Sequence, residues 1–130
     1  MIDEQVVPSS QYHFKLMKKG ALPYDLTIKN HQRKYEVHAI VLSANSKKIL
    51  QIMSADPKTK EIELNYPDEM DVLSQVIDYC YGFDLVINPA NFETLYLIST
   101  DLSISELQVP SQEMLEKSFT IQSVIPSLHF

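Results

Sequence analysis

The sequence has two glycines, one cysteine and no tryptophan among its 130 residues. Two glycines are too few for a sandwich or barrel built on many tight turns, and they exclude a glycine-rich phosphate loop. One cysteine excludes an internal disulfide, which suits a reducing compartment. No apolar run approaches the roughly 20 residues of a membrane span, and no signal-like leader opens the chain. We therefore expect one domain over residues 1–130, cytoplasmic or nuclear, with no membrane partner.

The histidines and acidic residues follow no pattern typical of catalysis. His13, His31, His38 and His129 are scattered, and none has the spacing of a metal ligand. The carboxylates are plentiful, but no recognisable framework pairs them for acid–base work. Cys80 falls on the apolar face of a predicted helix, which indicates a buried hydrophobe rather than a nucleophile. We therefore predict no enzymatic activity, no cofactor, no metal site and no small-molecule substrate.

The formal net charge of −6 conceals an uneven distribution. Residues 1–60 hold ten of the eleven basic side chains, whereas residues 61–110 hold ten acids and no lysine or arginine. Solvated faces on different elements are the ordinary explanation, and complementary patches for a partner are the alternative. The basic group Lys29, Arg33 and Lys34 is small and lies at a predicted hairpin tip on an acidic chain. We therefore expect no nucleic-acid binding.

The stretch over residues 24–46 organises the rest of the chain. Apolar and polar residues alternate, the alternation breaks at a polar patch over residues 29–32, and then it resumes. This pattern predicts two antiparallel strands joined by a hairpin, with Asn30 the turn residue that tolerates a positive φ. A short apolar helix follows over residues 39–44, and Ser46 is placed to cap the helix after it.

The remaining elements are predicted from their periodicity and capping residues. Asp68 or Pro67 is expected to start one helix, and Ser111 is expected to cap the last one. Strands that come early and helices that come late indicate an α+β fold with a helix cluster beside a small sheet. The predicted helices cover residues 11–20, 46–53, 69–81, 91–99, 101–107 and 112–119, and the further strands cover residues 61–64 and 84–88.

Two sets of residues carry a resemblance to a known family. The second set is followed by Gly82, one place before the position where the family usually has its glycine, which is Phe83 here. The first set is Asp25, Leu26, Ile28, Tyr35, Val37, His38, Val41, Leu42, Ala44 and Ser46, and the second is Leu73, Ile77, Tyr79 and Tyr81. In both order and spacing the chain resembles a BTB/POZ domain over about residues 12–119.

The resemblance implies a fold and a set of boundaries. A BTB/POZ-like domain would have a small mixed sheet of about three to five short strands, flanked by five to seven helices. Residues 1–9 would form an N-terminal segment, residues 10–119 the core, and residues 120–130 a C-terminal tail. Such a tail is compatible with a further domain after it. Five residues are predicted to lie in the structural core: His38, Leu42, Ser46, Leu73 and Ile77.

The resemblance also implies partners. The first expectation is a homodimer whose N-terminal helix packs against the partner subunit, with an interface made of Tyr12, Phe14, Leu16, Met17 and Asp25. Many BTB proteins pair the residue at Asp25 with a basic residue after the histidine. Ala39 stands there in this chain, so Asp25 must use a backbone amide, a hydroxyl, His38 or water.

The alternative expectation is a substrate adaptor for a cullin-type ubiquitin ligase. Such adaptors often carry an apolar-x-Glu motif after the helix over residues 46–53, where this chain has Met53, Ser54 and Ala55. The absence of the glutamate weakens this alternative without excluding it. The candidate cullin-facing surface consists of Ile52, Met53, Asp56, Tyr81 and Phe83. A monomeric relative of the cullin linker subunits is a third, weaker alternative, and the predicted N-terminal helix argues against it.

Overall fold

The computed structural model describes residues 4–9, Phe14 and residues 23–128, with side chains as far as Lys117. These residues form five strands and five helices, and the α+β prediction is confirmed. Apart from Phe14, the helix predicted over residues 11–20 lies outside the described residues, and so do Tyr12, Leu16 and Met17. In chain order the elements are β1 Gln5–Val7, β2 Leu26–Asn30, β3 Arg33–Val37, α1 Ala39–Asn45, α2 Lys47–Ala55, β4 Glu61–Leu64, α3 Val72–Cys80, β5 Leu85–Ile87, α4 Phe92–Leu102 and α5 Ser105–Leu128.

The five strands form two separate sheets. The larger sheet has the order β3-β2-β4, in which β2 pairs antiparallel with β3 and parallel with β4. Alternate residues therefore face the helices, and Leu26, Ile28, Val37 and Ile62 are all buried on that face. The smaller sheet pairs β1 antiparallel with β5, so the N-terminal strand lies beside a strand from much later in the chain.

The hairpin between β2 and β3 differs from the prediction at its turn. His31, not Asn30, takes the positive φ, at 56°. Asn30 stays in the strand because its side chain is used elsewhere: Oδ1 accepts from the amide of Tyr66 at 2.7 Å, and Nδ2 donates to the Tyr66 carbonyl at 3.3 Å. A buried amide side chain must satisfy both of its groups, and the segment after β4 provides both partners.

Helix α3 begins three residues later than the periodicity suggested. The Asp68 carboxylate accepts from the amides of Val72 and Leu73 at 2.7 and 2.8 Å, so it caps the helix from outside the first turn. Asp71, directly before the helix, has a φ of 59°. The prediction that Asp68 or Pro67 occupies the first positions of a helix starting at residue 69 is therefore wrong, although the Asp68 carboxylate caps the helix from outside it.

The prediction of separate helices over residues 101–107 and 112–119 is wrong. Helix α4 runs to Leu102, Ser103 ends it in a left-handed conformation, and α5 continues through Pro110. Ser111 is consequently not a cap. Its hydroxyl donates within the helix, with the Leu107 carbonyl oxygen 2.7 Å away. Packing against α4 supplies the apolar contacts that keep α5 helical across the missing amide of the proline.

The core lies between the larger sheet and the helices. The five residues predicted to be structural are all buried; Leu73 and Ile77 lie on α3, Leu42 lies on α1, and His38 and Ser46 flank α1. Ser46 also caps α2 as predicted, because its hydroxyl oxygen accepts from the amide of Ile49 at 3.1 Å. The same hydroxyl donates to the carbonyl of Leu102, which joins the start of α2 to the end of α4.

Candidate protein–protein interface

The junction of β3, α1 and α3 is held by a buried polar pair. The hydroxyl oxygen of Tyr81 accepts from the backbone amide of His38 at 2.8 Å, and it lies 2.7 Å from the ring Nδ1 of His38. His38 is buried, and Tyr81 has no exposed surface at all. Desolvation raises the pKa of Tyr81 to about 12. The placement of Tyr81 on a cullin-facing surface is therefore wrong, because its hydroxyl is needed inside the fold.

Asp25 is bonded to the first residue of α1. Its Oδ1 accepts from the backbone amide of Ala39 at 2.7 Å, and its side chain is exposed to solvent. A carboxylate at the start of a helix also complements the positive end of the helix dipole. A backbone amide was one of the partners expected for Asp25, because position 39 carries no basic residue. Asp25 does use a backbone amide, that of Ala39. Its role in a dimer interface stays a prediction.

An apolar patch surrounds the start of α1. The ring of Tyr24 lies 4.8 Å from the ring of His38, and 40 % of Tyr24 is exposed. Ile40, the second residue of α1, is 65 % exposed. Phe14, predicted to contact a partner subunit, is partly buried against the core of its own chain. Tyr24, which contacts the buried His38, and Ile40, two residues after His38, are hereafter the α1 patch, and both side chains are exposed.

The predicted cullin-facing residues divide between two surfaces. Ile52 and Met53 are half-buried on α2, and Asp56 is exposed at the end of that helix. The Asp56 carboxylate accepts from the amide of Lys58 at 3.1 Å, so it is engaged by its own loop. Phe83 is exposed but lines a groove with residues of α3 and β5 instead. The sequence therefore grouped Phe83 with residues of α2, whereas the described lining of its groove includes no residue of α2.

Ion pairs account for part of the uneven charge distribution. Each ion pair found among the described residues joins a basic residue of positions 1–60 to an acid of positions 61–110. The Nζ atom of Lys48 lies 2.8 Å from Oδ2 of Asp101, and the other two pairs are Lys29–Glu61 and Arg33–Asp71. Ion pairs within one chain thus partly neutralise the uneven charge. The two explanations considered from the sequence, solvated faces and complementary patches for a partner, did not include such pairs.

The Lys48–Asp101 pair belongs to a larger polar junction. The hydroxyl of Tyr66 also donates to Asp101, so α2, α4 and the segment after β4 meet at one carboxylate. The hydrogen bonds from Lys48 and Tyr66 hold the pKa of Asp101 below its usual value. Burial and the bond to Asp101 raise the pKa of Tyr66. Sequence reasoning missed this junction because the three residues are far apart in the chain.

The described residues offer little that could perform chemistry. No group of three or more histidine, cysteine, aspartate or glutamate residues among them could hold a metal ion. Cys80 is buried, and desolvation raises the pKa of its thiol to about 12, so it is not an activated nucleophile. Within the described part of the chain, no helix is long and apolar enough to cross a membrane. What the surface does offer is apolar and charged patches suited to contact with other proteins.

Comparison with known proteins identifies the fold. A family model described as "BTB/POZ domain" matches residues 14–119, which is most of the chain. The chain belongs to the BTB/POZ domain family. Rat and mouse "Kelch-like protein 25" are each 25 % identical to this BTB/POZ chain over 111 residues, which is 83 % of this chain and 19 % of the relative. The chain therefore spans about a fifth of the length of these relatives.

Solved BTB domains have the same fold. The BTB domain of zebrafish PATZ1 matches with a TM-score of 0.69 and 18 % identity, over 82 % of this chain and 88 % of that one. The BTB domain of human gigaxonin matches with a TM-score of 0.67 and 17 % identity, over 87 % of this chain and 98 % of that one. This BTB/POZ domain is a protein–protein interaction module, a fold that is generally not enzymatic.

The early glycine of this BTB/POZ domain has a clear structural role. Gly82 has a φ of 105°, its amide donates to the carbonyl of Tyr79 at 3.0 Å, and the amide of Phe83 donates to the carbonyl of Asp78 at 3.1 Å. These two bonds form a Schellman motif that closes α3. The residue after the glycine is then Phe83, whose ring remains at the surface.

Proposed function

We propose that this BTB/POZ domain joins two copies of its protein in a symmetric dimer. The observation that carries the proposal is the α1 patch, where Ile40 exposes 65 % of its surface and Tyr24, whose ring contacts the ring of His38, exposes 40 %. A large aliphatic side chain and an aromatic one, both exposed on a fold made for protein contacts, suit the centre of an interface. The predicted dimer residues Tyr12, Phe14, Leu16, Met17 and Asp25 belong to the same proposal.

Preorganisation favours the α1 patch as a contact surface. Asp25 fixes the first amide of α1, and the ring of His38 supports the ring of Tyr24, so neither exposed side chain needs a new backbone conformation to bind. Full burial of an isoleucine side chain contributes about 1.5–3 kcal/mol. In a twofold interface each contact occurs twice, so the gain from Ile40 is doubled. An interface of standard size would bury about 800 Å² per subunit.

Light scattering on the purified chain tests the dimer. We expect a mass near twice the 14.9 kDa of one chain at tens of micromolar. Ile40→Asp should yield monomer while circular dichroism stays unchanged, because an acid in the first turn suits the helix dipole. Met70→Asp, at another strongly exposed apolar residue, is the matched control and should leave the mass unchanged. A monomeric parent chain, or equal loss of dimer in both variants, would refute the proposal.

A cullin-type adaptor is the second candidate function. It is supported by the half-buried pair Ile52 and Met53 on α2, which ends beside the exposed Asp56. Against it, Asp56 replaces the usual glutamate one position late, and its carboxylate is already engaged by the amide of Lys58. Losing one charge-assisted hydrogen bond costs about 1.5–3 kcal/mol, or roughly tenfold to more than a hundredfold in affinity. We therefore expect weak or no cullin binding by this domain alone.

Calorimetric titration with a cullin N-terminal domain tests the second candidate. If the heat changes are too small to fit, or if Met53→Asp leaves the affinity unchanged, dimerisation remains better supported than cullin binding as the function of this domain. Leu50→Asp provides a control on the same helix, because Leu50 is exposed and outside the proposed contact. Submicromolar affinity that is lost on Met53→Asp but kept on Leu50→Asp would favour the adaptor over the dimer module.

A further inference from the structure

The outer face of the β1–β5 sheet exposes an apolar pair. Val6 and Val86 are directly opposite each other in the ladder, and they are 57 % and 38 % exposed. Their neighbours Val7, Leu85 and Ile87 point inward and are buried. Two opposed β-branched residues on the solvent side are unusual in a short sheet, because that side of such a sheet is ordinarily polar.

A groove of about 370 Å³ lies beside this pair. Val86 and Phe83 give it an apolar wall, and its acidic residues are Glu4, Asp78 and Asp84. No lysine or arginine lines the described groove, as expected from the absence of both between residues 61 and 110. Among its described lining residues the groove therefore combines apolar surface with acidic side chains, a combination that selects the chemistry of its occupant.

The edge of β5 that does not pair with β1 is covered by the side chain of Asn91. The side-chain amide of Asn91 donates to the carbonyl of Val86 at 2.9 Å and to the side-chain oxygen of Gln75 at 3.1 Å. A peptide cannot use that carbonyl to add a strand to the sheet without displacing Asn91. Binding in the groove must therefore rely on side chains rather than on backbone pairing.

We propose that this groove, hereafter the acidic groove, binds a peptide segment of another protein that places a lysine or arginine beside an apolar side chain. The apolar side chain packs on Val86 and Phe83, and the cation lies among Glu4, Asp78 and Asp84. The groove is lined by residues of β5, α3 and the N-terminal segment, and none of its described lining belongs to the α1 patch. The acidic groove is thus separate from the α1 patch.

A synthetic peptide provides the probe. A capped seven-residue peptide of alternating lysine and leucine is titrated into the intact chain labelled with nitrogen-15, and the backbone amide signals are followed. We expect saturable shifts at Phe83, Val86 and Asn91. Replacing the lysines by glutamate should abolish binding, and replacing the leucines by serine should weaken it strongly. Exposed charge pairs contribute little individually, so Glu4→Gln should weaken binding by roughly 1.5- to 5-fold.

Matched variants separate the acidic groove from general charge attraction. Val86→Thr keeps a β-branched residue in the strand but makes the apolar wall polar, and it should weaken binding. Glu113→Gln and Val109→Thr make the same changes at exposed positions of α5, and they should have no effect. The proposal is overturned if shifts do not saturate, if they map to α5, if the lysine–serine peptide binds equally well, or if the control variants weaken binding as much.

Discussion

Removing the hydroxyl of Tyr81 is the sharpest test of the buried polar junction. Tyr81→Phe deletes one oxygen atom and leaves the ring in place, so packing changes little. That oxygen accepts from the backbone amide of His38 at 2.8 Å and lies 2.7 Å from the His38 ring. Because the amide and the hydroxyl are both buried, water cannot replace the lost partner without opening the core.

The expected cost follows from the groups left behind. A buried backbone N–H without an acceptor costs about 1–3 kcal/mol, so we expect Tyr81→Phe to lower the free energy of unfolding by about 2 kcal/mol. His38→Ala keeps the backbone bond but loses the ring contact with Tyr81 and the stacking against Tyr24. Those losses and a small void should together cost about 2–3 kcal/mol.

The double variant distinguishes a shared bond from two independent effects. Both single variants remove the contact between Nδ1 of His38 and the hydroxyl of Tyr81, and the double variant removes it only once. The summed single costs should therefore exceed the cost of the double variant by about 1 kcal/mol. Urea denaturation followed by circular dichroism provides all three values. Protein concentration must be held constant, since dimerisation would add to the apparent stability.

Tyr96→Phe is the control for loss of a tyrosine hydroxyl. Tyr96 is half-exposed on α4, so its change should lie within about 0.5 kcal/mol. The reasoning fails if Tyr81→Phe is as stable as the parent chain, because the amide of His38 would then have another acceptor. It also fails if the two single costs add within about 0.3 kcal/mol, because the side chains would then be uncoupled.

Three further predictions concern the capping serine, the Asp101 junction and alkaline pH. Ser46→Ala should cost about 1–3 kcal/mol, since it removes the cap of α2 and leaves the Leu102 carbonyl unpaired. Asp101→Asn should cost about 0.2–1 kcal/mol at pH 7, because Asp101 and Lys48 are partly exposed to solvent. The folded-state pKa of Asp101 is lowered, so this contribution is present above about pH 4 and is lost as pH falls through the folded value. Stability should fall as pH rises from about 9 towards about 12, because Cys80 and Tyr81 stay protonated in the folded state while the unfolded chain ionises.

Each of these predictions has a direct check. Ser54→Ala, at an exposed serine of α2, should leave the unfolding midpoint unchanged, and an equal effect at both serines would contradict the capping role. For Asp101→Asn, denaturation is compared at pH 7 and at a series of lower pH values, and a difference that does not shrink as pH falls would show that charge is not the cause. For the alkaline range, unfolding is measured at pH 8, 10 and 11, with tyrosine ionisation followed by absorbance. Constant stability over that range would contradict the burial of both groups.

Local chemistry was enough to predict most elements. The alternation on both sides of the hairpin predicted β2 and β3, and the position of Ser46 before an apolar helix predicted its capping bond. The burial of Leu73 and Ile77 followed from their spacing on α3. These features depend on residues within about one helical turn or one hairpin of each other, and the sequence displays such neighbours directly.

Local patterns did not predict contacts between residues that are far apart in the chain. Asn30 was placed in the turn because asparagine tolerates a positive φ, yet the segment after β4 binds both of its polar groups. Tyr81 was placed on the surface because the family resemblance put a functional face nearby, yet the amide of His38 holds its hydroxyl inside. Ser111 was expected to cap a separate last helix, yet α5 continues through residues 107–112 while packed on α4.

The sequence by itself determined the class of the protein: an α+β domain with a hairpin, a capped helix and an apolar core at the spacing of a BTB/POZ domain. The tertiary structure alone decided which charges neutralise each other and which apolar residues remain exposed. Lys48 and Asp101 are 53 positions apart, and Val6 and Val86 are 80 apart, so no local pattern links them. Their partners are set by how the sheets and helices pack, and that packing is where the candidate interfaces arise.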